Sequence, residues 1–176
     1  RGLKLRKVWV NAIVDDAISV ATTGLANNAS VASTSTGNNS TDGTQVFNPS
    51  GATVTLPAET FAPGSQANYT TTVACTGATV SGSTPGSTFT MPDNDVTCTY
   101  TNTRKTVTLQ LLKTWINARL GDAVTVTAAG IANSAGAALN AVADTASETD
   151  PGVVVTVYAG EVATLGEGAI SGSGAT

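Results

Sequence analysis

Two stretches of the chain are near-copies of one another. DDAISVATTGLANNA (15 to 29) lies over GDAVTVTAAGIANSA (121 to 135) when the sequence is shifted by 113 − 7 = 106 residues. The same shift matches LKLRKVWV (3 to 10) with LQLLKTWI (109 to 116), aligning Lys7 with Lys113, Trp9 with Trp115 and Asn11 with Asn117. Farther on, GATVTLPAE (51 to 59) resembles GEVATLGE (160 to 167) after the offset grows to 109 and then 108, which brings Glu59 over Glu167. Self-similarity over such a length means that one structural unit is used in tandem, so the fold must be one that a hundred residues can complete.

Within each unit the residues read as strands. Short β-branched runs are broken by Gly, Pro and Asn, and no window carries a sustained helical period. In the first copy, strands are expected near 3 to 11, 16 to 22, 44 to 48, 52 to 56, 68 to 75, 87 to 91 and 95 to 102. Turn chemistry separates them at NNSTDG (38 to 43), NPSG (48 to 51), APGS (62 to 65), STPGS (83 to 87) and PDND (92 to 95). About seven short strands with frequent turns describe an Ig-like β-sandwich. The expected organisation is all-β: a complete sandwich over 1–104 and a second over 105–176 that stops before its last strands. The second copy ends where the first reaches Asn68 and Tyr69, so the chain is expected to be a window on a longer polymer, or else to receive strands from a neighbour. The junction TNTRKT (101 to 106) holds no flexible linker, which favours a stiff array.

The lysine strands pose the chemical question. Side chains alternate across a strand, so Leu3, Leu5, Lys7 and Trp9 share a face, as do Leu109, Leu111, Lys113 and Trp115. An unpaired cation in a core costs several kcal/mol, so an inward lysine must pair, tilt out to solvent or lose its charge. Candidate partners lie on strands whose inward phase carries polar groups. In DVTCTYTN (95 to 102), Asn102 shares a phase with Val96, Cys98 and Tyr100. In ANYTTTVAC (67 to 75), Tyr69, Thr71, Val73 and Cys75 share one. Cys75 and Cys98 are the only thiols, and their even count in a Thr-rich chain suggests one disulfide in an oxidising compartment. Glu59 follows an apolar strand, but Pro57 disturbs the alternation and leaves its direction open.

A lysine on the first strand, a glutamate in an E-x-x-A-P-G-…-Y segment and an asparagine closing the last strand together resemble a known pattern. It is that of the CnaB or SpaA-type prealbumin-like domains of bacterial surface proteins and pili. The resemblance covers the first copy and the front two-thirds of the second. It implies an internal isopeptide bond in which Lys7 is the nucleophile, Asn102 the acceptor and Glu59 the proton shuttle. Lys113 and Glu167 hold the matching places in the second copy, whose asparagine strand does not occur in this chain. The cysteine pair and the Lys-x-Trp signature are not part of the usual family core, and the disulfide is an alternative fastening that would leave Lys7 in an ion pair. The implied role is structural: a repeat in a secreted or cell-surface fibre or adhesin stalk, with neighbouring repeats or further copies as partners.

Other function classes are disfavoured by composition. The chain has no histidine, which removes Ser-His-Asp and Cys-His sites and histidine-bound metals. Two acids in a turn, as at Asp93 and Asp95 or Asp15 and Asp16, are too few to define a calcium site. No cofactor motif is present, and the chain is not expected to be an enzyme beyond a single self-directed crosslink. A net charge of −4 with no basic cluster argues against nucleic acid. No apolar run is long enough to insert in a membrane. A binding module is the competing expectation, with the Ser/Thr/Asn-rich insert ASTSTGNNSTDG (32 to 43) contacting a host or surface glycan or protein. Its counterpart, ALNAVADTASETDPG (138 to 152), differs in sequence as a variable surface loop would.

Overall fold

The structure is a computed structural model that describes residues 1–172, so the last four positions of the expected second repeat lie outside the described residues. The chain is all-β and divides into two compact units, Arg1–Lys105 and Thr106–Thr176. Among the described residues, no helix is long and apolar enough to cross a membrane.

Unit 1 contains ten strands: β1 (Gly2–Val10), β2 (Ala17–Ala21), β3 (Ser30–Thr34), β4 (Asn39–Asp42), β5 (Val46–Phe47), β6 (Thr53–Thr55), β7 (Thr60–Phe61), β8 (Tyr69–Thr76), β9 (Thr88–Thr90) and β10 (Val96–Arg104). The main sheet runs β4-β1-β10-β8, with β5 also paired to β1. Its central pair, β1 and β10, is parallel, with Leu3 opposite Val96 and Val10 opposite Thr103. A parallel pair requires a long crossover. Here that crossover is almost the entire unit, because β1 and β10 are its first and last strands. The remaining strands form β3-β2-β7 and β6-β9. Ile18, Val31, Val54 and Phe89 from these smaller sheets, with Leu56 just after β6, join Leu3, Leu5, Trp9, Val73, Val96 and Tyr100 from the main sheet in one core. The arrangement is compatible with a β-sandwich.

The insert expected as a surface loop is largely strand. Residues 30–34 and 39–42 form β3 and β4, and β4 pairs with β1 so that Lys7 lies opposite Thr41. Their polar composition hid them, because the alternation here is between buried and exposed small residues rather than between apolar and charged ones. Ser33 is buried and accepts a hydrogen bond from the Trp9 indole at 3.0 Å, which gives a small polar residue a place inside.

Unit 2 repeats these pairings with β11 (Thr106–Leu109), β12 (Leu112–Ile116), β13 (Ala123–Ala129), β14 (Leu139–Val142), β15 (Ser147–Pro151), β16 (Val155–Tyr158) and β17 (Thr164–Glu167). The pairs β12-β15, β13-β14, β13-β17 and β11-β16 correspond to β1-β4, β2-β3, β2-β7 and β1-β5. The segments 32–43 and 138–152 thus build equivalent strands from dissimilar sequences. Asn11 and Asn117 close the two lysine strands in the same left-handed conformation, at φ 51° and 54°.

One difference is instructive. LQLLKTWI was expected to be one strand, yet it splits at Gln110–Leu111 into β11 and β12. In unit 1 the corresponding strand stays whole, although its β4-β5 partner is interrupted at Gly43, because β10 pairs along its other side without a break. Among the described residues of unit 2, β12 has one paired strand, β15, and the gap is spanned only by the Gly152 amide donating to the Leu111 carbonyl at 2.8 Å, as the Gly43 amide donates to the Leu5 carbonyl in unit 1.

Candidate functional site

The register of β1 against β10 builds the site. Lys7 is level with Tyr100, and Trp9 with Asn102. Residues level in a pair of strands project to the same face, so Lys7, Trp9, Tyr100 and Asn102 all point inward. All four are buried to within 1 %. Asn102 stands two positions along the neighbouring strand from Lys7, a diagonal of roughly 7–8 Å between backbones that a long side chain can span. The Lys7 ammonium lies 4.5 Å from the centre of the Trp9 ring, so the side chain leans along β1 toward the step that Asn102 occupies.

Glu59 arrives from the facing side. It precedes β7 on a short segment after β6, and the Tyr100 hydroxyl donates to the Pro57 carbonyl at 3.0 Å, which pins that segment over the main sheet. Glu59 Oε1 lies 2.7 Å from Lys7 Nζ, and neither side chain has any solvent exposure. No further hydrogen-bond partner among the described residues reaches Lys7 Nζ, either Glu59 oxygen or Asn102 Nδ2. Asn102 Oδ1, by contrast, accepts from the Thr71 hydroxyl at 2.6 Å.

Burial sets the electrostatics. Desolvation pulls the Lys7 amine down to about 8, against the opposing pull of the Glu59 charge. The Tyr100 phenol is pushed up, first by burial and then by the nearby Glu59. A buried ion pair and, two positions along the neighbouring strand, a buried carboxamide whose NH2 has no acceptor among the described residues are therefore enclosed in the same core. Such an arrangement is costly for a folded chain. The unsatisfied NH2 alone costs on the order of 1–3 kcal/mol, and the desolvated pair costs several more before its attraction is counted.

The rest of the E-x-x-A-P-G-…-Y segment frames this pocket. Gly64 has φ 112°, and a side chain there would meet the Asp16 carboxyl group within 2.7 Å, so only glycine fits. Asp16 in turn accepts from the Tyr69 hydroxyl at 2.5 Å, and that oxygen accepts from the Ile13 amide at 2.9 Å. The Tyr69 ring meets Trp9 edge-on at 5.6 Å. Burial and the bond to Asp16 lift the Tyr69 phenol to about 12.

Cys75 and Cys98 sit directly opposite one another on β8 and β10 and form a disulfide. Trp9 and Trp115 are core residues, 1 % and 4 % exposed. Asp93 and Asp95 fasten the start of β1: Asp93 pairs with Arg1, and Asp95 accepts from the Gly2 amide. In unit 2, Lys113 Nζ and Glu167 Oε1 are 2.6 Å apart and Lys113 lies 4.7 Å from the Trp115 ring, as in unit 1. Their side chains remain 16 % and 47 % exposed. Gly172 crowds Asp122 as Gly64 crowds Asp16. In unit 2 a groove is lined by Lys113, Trp115, Asp122 and Ile170.

The sequence pointed to Lys7, Glu59, Asn102 and the cysteines, but not to Thr71 or Tyr100 as their polar supports. Thr71 shares the inward phase of Tyr69 and Cys75, and that phase was the available signal. Its importance depends on the register that sets it opposite Asn102. No protein-family model, curated protein or solved structure matches the chain.

Proposed function

We propose that the first unit is a self-crosslinking, load-bearing β-sandwich of the Ig-like, prealbumin-like kind, and that the chain is a tandem segment of a secreted or cell-surface fibre or adhesin stalk. The observation that carries this reading is the fully buried Lys7–Glu59 pair, 2.7 Å apart, with Lys7 two positions from the buried Asn102 in the β1–β10 register. Within the pair, Lys7 passes its proton to Glu59, because burial disfavours the lysine cation. The neutral amine attacks Asn102 Cγ. Glu59 delivers that proton to Nδ2 and takes a second one from Nζ as the tetrahedral adduct collapses, ammonia leaves, and an amide joins Lys7 Nζ to Asn102 Cγ with Glu59 left protonated. The product holds no buried cation at Lys7 and no unpaired NH2 at Asn102, so the reaction relieves the cost that folding imposes.

The topology supports a mechanical role. Because β1 and β10 are parallel neighbours, tension between the start of β1 and the end of β10 pulls them past each other along their length. Their ladder is then loaded in shear, and an amide across it would carry the force through covalent atoms. The disulfide fastens β10 to β8 on its other side, so the three strands β1, β10 and β8 would be laced together. A disulfide is also compatible with an extracellular, oxidising setting. Intact mass of the full chain tests the reading. A loss of one ammonia, in addition to the two hydrogens of the disulfide, supports it. A chain that keeps its ammonia overturns the crosslink.

The open side of β12 favours a second reading for unit 2. Among the described residues β12 pairs on one side, with β15, and the Lys113–Glu167 pair and the groove beside Asp122 stay partly exposed, which suits cover by a further strand from a longer chain, a neighbouring repeat or another copy. Concentration-dependent association in sedimentation, lost when Lys113 and Trp115 are replaced, supports strand complementation. A monomer at every concentration overturns completion by a second copy.

A further inference from the structure

The hydroxyl of Thr71 satisfies the buried Asn102 carboxamide oxygen, and that oxygen belongs to the reacting group. Thr71 lies directly opposite Asn102 on β8, and its Oγ1 is 2.6 Å from Asn102 Oδ1. Oδ1 is an acceptor only, so the threonine must donate. The direction of that proton is fixed from behind, because Gln66 Nε2 donates to Thr71 Oγ1 at 2.7 Å and occupies it as an acceptor. Gln66 is held in a single 3-10 turn, Gln66–Asn68, capped by Ser65, immediately before β8. The result is a chain of donors running from the surface to one carboxamide oxygen.

When an amine adds to a carboxamide, negative charge collects on that oxygen. A donor already in place at hydrogen-bond distance in a water-free site stabilises this charge without reorganisation. We propose that Thr71 is a catalytic residue of the Lys7–Asn102 condensation, an oxyanion donor to Asn102 Oδ1, with Gln66 as the positioning residue that orients its hydroxyl. The inference rests on the crosslink described above and assigns the half of the reaction that Glu59 does not serve. Glu59 moves protons between the nitrogens, while Thr71 holds the charge on oxygen. As Nζ bonds to Cγ, the carbonyl π pair moves to Oδ1 under the Thr71 hydroxyl. It returns as the Cγ–Nδ2 bond breaks and ammonia departs with the proton that Glu59 relays. No oxidant or further reactant is needed.

The test is a rate measurement on the full chain. Protein made in an oxidising cell-free system is sampled after a brief pulse of synthesis, quenched in acid and weighed intact, so that loss of ammonia is followed in time at several pH values. Thr71→Val keeps a β-branched side chain on β8 and should fold with the disulfide formed. Its condensation should be slower by about 10² at every pH, the scale of removing one oxyanion donor, with the pH midpoint unmoved. Thr71→Ser should recover most of the rate. Gln66→Leu should slow the reaction less than Thr71→Val, again with the midpoint in place. A structural role alone would loosen the pocket and carry the midpoint toward the ordinary lysine value. If wild-type protein loses ammonia and Thr71→Val loses it within fivefold of the same rate, or if its midpoint moves, the assignment of Thr71 is overturned while the crosslink stands. If wild-type protein never loses ammonia, both fall together.

Discussion

Replacing Glu59 by Gln separates the covalent account from an ion-pair account. The change keeps the size of the side chain and removes the carboxylate that lies 2.7 Å from Lys7 Nζ. Without it the amine has no base to receive its proton and Nδ2 has no acid to help it leave, so Lys7 and Asn102 should stay unjoined. The energetic consequence follows from the loop that the bond would close. Lys7 and Asn102 are 102 − 7 = 95 residues apart, and the chain-entropy model assigns a crosslink of that span about 4.7 kcal/mol. The Cys75–Cys98 bridge, with a separation of 23, contributes about 3 kcal/mol on the same basis. The lysine tie should therefore stabilise unit 1 more than the disulfide does. For a unit of this size, losing about 4.7 kcal/mol lowers the melting temperature by about 20 °C. The assay pairs intact mass with calorimetry. Glu59→Gln should retain the ammonia that wild-type protein has lost, and should melt far lower. If wild-type and variant protein both retain their ammonia, the reasoning fails, and Lys7–Glu59 is a buried ion pair and nothing more.

Asn102→Ala also blocks the bond and should expose the titration of Lys7. Buried Lys7 releases its proton near pH 8, whereas the unfolded chain holds it to the ordinary lysine value, so between these limits the unfolded state binds more protons. Stability of Asn102→Ala should thus rise across that window by about 3 kcal/mol, while crosslinked wild-type protein shows no such rise in chemical denaturation. Changing Cys75 and Cys98 together to serine should cost about 3 kcal/mol in the same measurement and leave the loss of ammonia intact. Tyr69→Phe deprives the buried Asp16 carboxyl and the Ile13 amide of their shared partner and should cost about 2 kcal/mol, measured by urea denaturation.

Much of this site is written in strand alternation. The phase of LKLRKVWV turns Lys7 inward with Leu5 and Trp9, and the phase of DVTCTYTN turns Asn102 inward with Cys98 and Tyr100. Such phases survive because a shift by one residue would bring an entire face out of the core. What alternation cannot supply is register between distant strands. That β1 and β10 are parallel, with Asn102 beside Trp9, depends on the path of the intervening residues, and no local pattern encodes it. Glu59 was ambiguous for a different reason. Pro57 interrupts the alternation, and the direction of Glu59 is fixed instead by Leu56 in the core and by the Tyr100 bond to the Pro57 carbonyl. β3 and β4 are hard to read because Ser, Asn and Thr fill most of their inward positions, Val31 apart, as Ser33 does beneath Trp9. In unit 2 the split between β11 and β12 depends on what lies beside the strand, not on LQLLKTWI itself.

The account can be put to its most direct trial by mapping the crosslink. Full-length protein is reduced, alkylated and digested, and the fragments are sequenced by tandem mass spectrometry. A branched peptide joining Lys7 of β1 to Asn102 of β10, short by one ammonia and resistant to the reductant, is the predicted result. Separate linear peptides, with Lys7 a free amine and Asn102 an intact carboxamide, would contradict it.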